Sequence, residues 1–427
     1  MPKLDFLHSL SNRIFLRLYA AQTVSLLGDT LTWVGLALLA FNLAGDQAAI
    51  VLSVALTLRV LTFVVVSPLV GAIADRFDRK LILAIAHFAR MIVVALLPWV
   101  TAVWQLYGLM IALNIFNALF TPTYKATIPL VTSKADYPQA IALSSATGQL
   151  LGVLGPGMAG GLAAWVGIRQ IFLLDALSFW IAALLIITLP NQIRAADRAE
   201  SWRLTDTWQD MQAGTRLLFR QAPLRYALGV QLVAAIAGAQ ILVNTVSYVE
   251  GELHLSSVHY GWVMAAFGIG ATLAALIFGA YGQKQSYLSF LGLGGILITV
   301  ALLPANYVGW LPLLGLWLLA GMGESWINVP TQTLIADLIP TEWQGRVYGA
   351  HFAWSHLWWA IAYPLAGWLG RYSQGWFGDQ AHSHAFLSGG LIGLGVLVLV
   401  HLSLLPQQAA AQTLKETDTV TAKLRHP

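Results

Sequence analysis

Apolar residues arrive along this chain in long runs broken by short polar connections, with neither the two-residue alternation of a half-buried strand nor the narrow stripe of a surface helix. A helix crossing a bilayer needs about 20 mostly apolar residues. Twelve such stretches are predicted near 14–43, 47–74, 81–101, 104–124, 138–166, 168–189, 224–249, 258–282, 287–303, 308–336, 345–370 and 384–405. The expected architecture is an all-α membrane protein of twelve transmembrane helices in two pseudo-repeated six-helix bundles. Residues 1–190 form the first bundle, 191–223 a connector, 224–406 the second bundle and 407–427 a polar tail expected to be disordered. Within the connector, Leu204, Trp208 and Met211 recur at helical spacing among charged residues, which predicts an amphipathic helix at the membrane surface.

Composition excludes a water-soluble origin. Of 427 residues 58% are hydrophobic and 10% charged, whereas soluble domains carry charge on roughly a quarter of their residues. The chain has no cysteine, which removes disulfides, thiolate metal sites and cysteine nucleophiles. The stretch from Met1 to Ser11 contains Asp5 and His8 and no short apolar run with a small-residue cleavage site, so the first span is expected to be retained. A formal charge of +4 would suggest nucleic acid in a soluble protein, but here the basic residues sit at membrane edges. Alternate connections collect 19 of the 23. Arg169 and Arg371 lie in the opposite set, and Arg59 and Arg90 fall inside spans. By the positive-inside rule both termini are cytoplasmic.

An internal repeat divides the chain. Gly71-Ala-Ile-Ala-Asp75-Arg76 closes the second span, and Gly279-Ala-Tyr-Gly-Gln283-Lys284 closes the eighth, at an offset of 208 positions. Pro122-Thr123 and Pro330-Thr331 repeat at the same offset. Further stretches stand out: Ser25-Leu-Leu-Gly-Asp29; Gly71 through Asp75, Arg76, Asp78, Arg79 and Lys80; Gly152-Val-Leu-Gly155-Pro156-Gly157-Met-Ala-Gly160-Gly161; and Pro340-Thr-Glu342-Trp-Gln-Gly345-Arg346. With these motifs the chain resembles the major facilitator superfamily along nearly its whole length, and within it the efflux branch that includes siderophore and macrolide exporters. It departs from the superfamily's cytoplasmic loop signature in having Asp78 where glycine is usual, and from the fifth-span antiporter motif in having Ala159 at a glycine position.

The resemblance implies a monomer in a bacterial inner membrane, whose two halves rock about a mid-membrane site. It implies proton-coupled efflux of a small drug- or siderophore-like molecule, the partners being substrate, protons and lipid. Transport of a divalent metal such as nickel or cobalt, or of a lysolipid, is the alternative. No nucleic-acid partner, cofactor or bound metal is expected. His351 and His356 stand about 140° apart on a helix, too far round for one site. The phosphate-binding G-x-x-x-x-G-K-[ST] and the hydrolytic H-E-x-x-H and G-x-S-x-G patterns are absent, so neither a self-contained ATP-driven pump nor an enzyme is expected.

Four ionisable residues fall at mid-span: Asp29, Arg59, Arg90 and Glu324. A charge at that depth costs about 3 kcal/mol or more on insertion scales, and a carboxyl out of water is more easily held neutral. Asp29 or Glu324 is therefore expected to carry the coupling proton, with Arg59 and Arg90 alongside. For Asp29 a permanent ion pair with Arg59 is an equal alternative, whereas Glu324 has no basic residue at matching depth in its own half. Span four holds Asn114 and Asn117 but lacks the embedded arginine that many proton-coupled relatives place there. Gly71, Asp75, Arg76, Asp78, Arg79, Lys80 and Arg346 are candidates for a cytoplasmic gate, through guanidinium–carboxylate pairing. Gly152, Gly155, Pro156 and Gly160 serve either close packing or transport direction. Trp33, Gln231, Gln240, Asn244, Trp326 and Asn328 are the candidate substrate pocket.

Overall fold

The computed structural model describes residues 10–74, 78–133, 136–190, 204–281, 286–373 and 383–424. They form thirteen α-helices and no strand. The first half comprises α1 (Arg13–Ala44), α2 (Ala48–Ala74), α3 (Arg79–Leu96), α4 (Val103–Val131), α5 (Tyr137–Val166) and α6 (Ile168–Ile187). Then come α7 (Leu204–Arg220) and a second set: α8 (Ala222–Val246), α9 (Ser257–Tyr281), α10 (Tyr287–Leu302), α11 (Trp310–Leu338), α12 (Thr341–Tyr372) and α13 (Ala385–Leu424). Among the described residues eight stretches are long and apolar enough to cross a membrane, the first running through both α1 and α2. Large apolar side chains such as Leu276, Leu399 and Leu402 are exposed along these helices, a surface suited to lipid rather than water.

Helix starts are fixed by local chemistry. Asn12 caps α1, its side-chain oxygen accepting from the N–H groups of Ile14 and Phe15 at 2.9 and 3.3 Å. Its Nδ2 donates to the Val131 carbonyl at 2.7 Å, tying the start of α1 to the end of α4. Asp78 caps α3 through the Lys80 N–H at 2.9 Å. The aspartate that departs from the loop signature thus has a structural use at a helix start. Gly167, at φ 96°, turns the chain between α5 and α6 in a conformation that side chains rarely adopt.

Within the first half α1 packs on α5 and α6, α3 on α4 and α6, and α2 on α4. In the second, α8 packs on α12 and α13, α9 on α11, and α10 on α11 and α13. Two seams join the halves: α2 runs along α12, and α5 along α9. Both depend on missing side chains. A methyl group at Gly160 of α5 would fall on the Gly261 backbone of α9, and one at Gly367 of α12 would fall on Ser53 of α2. These approaches lie toward the face opposite α7, called the far face below.

The predicted amphipathic connector helix is present as α7, and it lies on protein. The Trp354 indole N–H donates to Thr215 Oγ1 at 3.4 Å, and Phe219 meets Trp354 edge-on at 5.3 Å. Gly214 presses so closely on α12 that an added Cβ would overlap the Arg346 carbonyl. The Trp208 side chain lies outside what is described. Gly214→Val is expected to undock α7, raising the rate of limited proteolysis within 204–220 by at least about tenfold while the other helices stay protected.

Helix α13 runs on to Leu424 and so takes in most of residues 407–427. Its Ala-, Gln-, Leu- and Lys-containing sequence has good helix propensity, and extending an existing helix avoids the cost of nucleation.

Candidate functional site

The strongest polar cluster lies inside the first half. Arg90 is 2% exposed, with its guanidinium 4.2 Å from the centre of the Phe120 ring and 4.5 Å from that of Phe179. Its Nη1 donates to Asn117 Oδ1 at 3.1 Å and its Nη2 to His87 Nδ1 at 2.8 Å. An arginine on α3 thereby reaches span four. Asn114 instead turns back to its own helix, donating to the Met110 carbonyl at 2.8 Å.

The cluster contains a carboxyl that sequence reasoning missed. Asp175 of α6 is fully buried, accepting hydrogen bonds from Thr32 Oγ1 and, at 3.0 Å, from Ser178 Oγ. It interacts electrostatically with both Asp29 and Arg90. Gly28 makes room for it, since a methyl there would collide with Asp175 and Ser178. The signal was available: Asp175 interrupts an apolar run as deeply as the four residues singled out above.

Asp29, half-buried, feels Arg90 and Arg59. Arg59 of α2 places its guanidinium 3.8 Å from the centre of the Trp33 ring, the geometry of a cation–π contact. Asp29 on α1 and Glu324 on α11 thus lie one in each half. Glu324 itself makes no hydrogen bond or ion pair among the described residues.

The predicted pocket residues separate. Trp33 belongs to the Arg59 site. Gln231 Nε2 donates to Asn328 Oδ1 at 3.2 Å, pairing α8 with α11. Asn244 Nδ2 donates to Gln240 Oε1 at 2.8 Å and to the Ala366 carbonyl at 3.1 Å, pairing α8 with α12. Trp326 is engaged elsewhere: its N–H donates to the Ala274 carbonyl at 2.9 Å and its ring packs on Phe290 at 5.5 Å, inside an apolar cluster of the second half.

Of the gate candidates, Asp75 and Arg76 lie outside the described residues and Gly71 falls in α2. Lys80 Nζ donates to the Leu189 carbonyl at 2.6 Å, just beyond α6. Arg79 is buried, and Arg346 lies over the Trp343 ring at 4.6 Å. In the fifth-span motif Gly155 packs on Thr30 of α1 and Gly160 on Gly261 of α9. The side-chain surroundings of Gly152 and Pro156 lie outside what is described.

An all-helical bundle of two halves joined by two seams, with ionisable groups buried inside it, has the form of a membrane transporter. The chain belongs to the transmembrane secretion effector family of the major facilitator superfamily, which it matches over residues 6–412. It is 29% identical to an uncharacterized MFS-type transporter of Bacillus subtilis, YfiS, over 90% of this chain and 92% of that one. It is 26% identical to the enterobactin exporter EntS of Escherichia coli, over 80% and 82% of the two chains, and 23% identical to macrolide efflux protein A of Streptococcus pyogenes, over 78% and 84%. Among solved structures it resembles the nucleoside transporter NupG, with a TM-score of 0.70 at 15% identity over 91% of this chain and 98% of that one. The protein is thus a multi-pass membrane transporter, and its relatives include efflux pumps.

Proposed function

We propose that this protein is a secondary active exporter that exchanges protons for a small drug- or siderophore-like molecule. In this reading residues 1–190 and 224–406 move as two units, exposing a mid-membrane site to each face in turn. The observation that carries it is the group of ionisable side chains held inside the bundle: Arg90 on Asn117, Asp175 under Thr32 and Ser178, and Arg59 of α2 stacked on Trp33 of α1, with α2 itself running along α12 of the other half. Asp29 has cations beside it, Arg90 and Arg59. Glu324 has none, so a proton there changes the local charge from minus one to neutral with no neighbouring cation to offset it. The efflux relatives support export, and the distribution of basic residues supports an inner-membrane orientation with cytoplasmic termini. The chain acts as a monomer.

The test is transport by the full chain in proteoliposomes under an imposed proton gradient. Glu324→Gln is expected to reduce gradient-driven transport at least about 100-fold while leaving substrate exchange without a gradient active. Gradient-driven transport that persists in this variant removes Glu324 from the mechanism. Accumulation of substrate in expressing cells, in place of depletion, reverses the direction.

A further inference from the structure

A separate polar cavity of about 320 Å³ opens at the far face, and none of Asp29, Arg59, Arg90 and Glu324 lines it. It is built by both halves. Phe41 and Asp46, from the α1–α2 corner, face Asn244, Tyr248 and Glu252 at the end of α8. There the helix widens into a π-turn over Ser247–Glu252, a feature frequent at functional sites. Ser383 and Phe386 close the wall.

Three observations define what would fit. The lining carries two carboxylates, Asp46 and Glu252, the second of which also accepts from the Ser383 N–H at 3.2 Å, one histidine, His254, and no lysine or arginine. Phe41, Tyr248 and Phe386 supply aromatic walls. Independently, Asn244 is 4% exposed and directs both of its donor bonds to protein, so its Oδ1 accepts from no described residue while the side chain lines the cavity. Ser247 Oγ, on the same wall, is likewise buried without a partner. Acceptors and negative charge among aromatic rings suit a ligand that brings N–H donors and positive charge.

We infer that this cavity is a second binding site, taking an organic cation with one or more N–H groups at the exit end of the protein. The assignment to the exit end rests on the export reading; the binding does not. An ammonium, amidinium or anilinium group would sit between Asp46 and Glu252 and donate to Asn244 Oδ1, with its apolar body against Phe41. Because Asp46 and Glu252 belong to different halves, the occupied cavity holds the halves together at this face.

Ethidium, an aromatic cation with two amino groups, is the probe. Its equilibrium binding to the purified full-length chain is followed by fluorescence, with no proton gradient. The double variant Asp46→Asn/Glu252→Gln is expected to bind at least tenfold more weakly, while Asp337→Asn, a carboxylate at the opposite end, leaves affinity unchanged. Unchanged affinity in the double variant overturns the proposal, and so does an equal loss in Asp337→Asn. Should the double variant not fold, photolabelling of the unaltered protein with azidoethidium decides. Label within 244–254 supports the site, and label confined to mid-span segments overturns it. Failure of proton-driven export leaves these binding results intact, so the two readings fail separately.

Discussion

Replacing Arg90 with alanine is expected to destabilise the folded protein by about 3–5 kcal/mol, the range found when one partner of a buried charge group is removed. Three effects act together. Asn117 and His87 lose the guanidinium they face. The space between Phe120 and Phe179 empties, and close-packed interiors collapse only in part around such a loss. Most important, Asp29 and Asp175 lose a cation that interacts with both. Arg90→Lys restores charge but not the planar fork or the stacking, and recovers only part of the stability. If the carboxylates are the main source of the penalty, Asp175→Asn in the Arg90→Ala background raises stability, although the same change alone lowers it by leaving one hydroxyl without its acceptor. Thermal unfolding in detergent completes this double-mutant cycle. Additive effects of the two changes would show that packing, and not charge, makes Arg90 necessary.

The helices were largely legible because the bilayer enforces them. A spanning segment satisfies its backbone hydrogen bonds internally, so each apolar run falls on one of α1–α6 and α8–α13, although α4 continues to Val131 and α13 to Leu424, well past the runs that predicted them. The amphipathic pattern at Leu204 and Met211 was equally readable, but not its docking partner, since Thr215 meets Trp354 at a sequence distance of 139 residues. Within the candidate site, depth alone singled out Asp29, Arg59, Arg90 and Glu324. Depth does not say which helices are neighbours. That α3 would offer Arg90 to Asn117, or that Arg59 of α2 would stack on Trp33 of α1, follows from packing that no local pattern encodes. Trp326 shows the converse limit. A tryptophan two positions from a buried glutamate reads as pocket, yet its indole is held by the Ala274 carbonyl and Phe290. The far-face cavity was the least legible of all, since its walls combine the ends of α1, α2, α8, α12 and α13 with the short connections between helices.

A disulfide joining Ser53→Cys and Gly367→Cys is expected to stop transport, and its reduction to restore it. The chain has no cysteine of its own, so the pair can be introduced without background. Geometry favours the bond: a Cβ built at Gly367 falls 2.6 Å from the Ser53 Cβ. Disulfides span about 3.5–4.5 Å between these atoms, so a small outward shift of α12 accommodates the bridge. The same seam continues one turn outward, where Gly370 packs on Ala49, and inward, where Phe63 meets Phe352 at 5.6 Å. On the opposite seam Gly160 and Gly261 touch backbone to backbone. In the proposed exchange mechanism contacts of this kind hold the far face shut, and alternating access requires them to part in every cycle. A covalent bond across α2 and α12 keeps them closed whatever the proton on Glu324 does, and transport should fall at least about tenfold in the oxidised protein. Equilibrium binding from the connector side should survive oxidation, because a locked far face leaves that entry untouched. Transport at an undiminished rate in the fully crosslinked protein would mean that the halves do not separate along this seam, and that substrate crosses by a route other than the space between them.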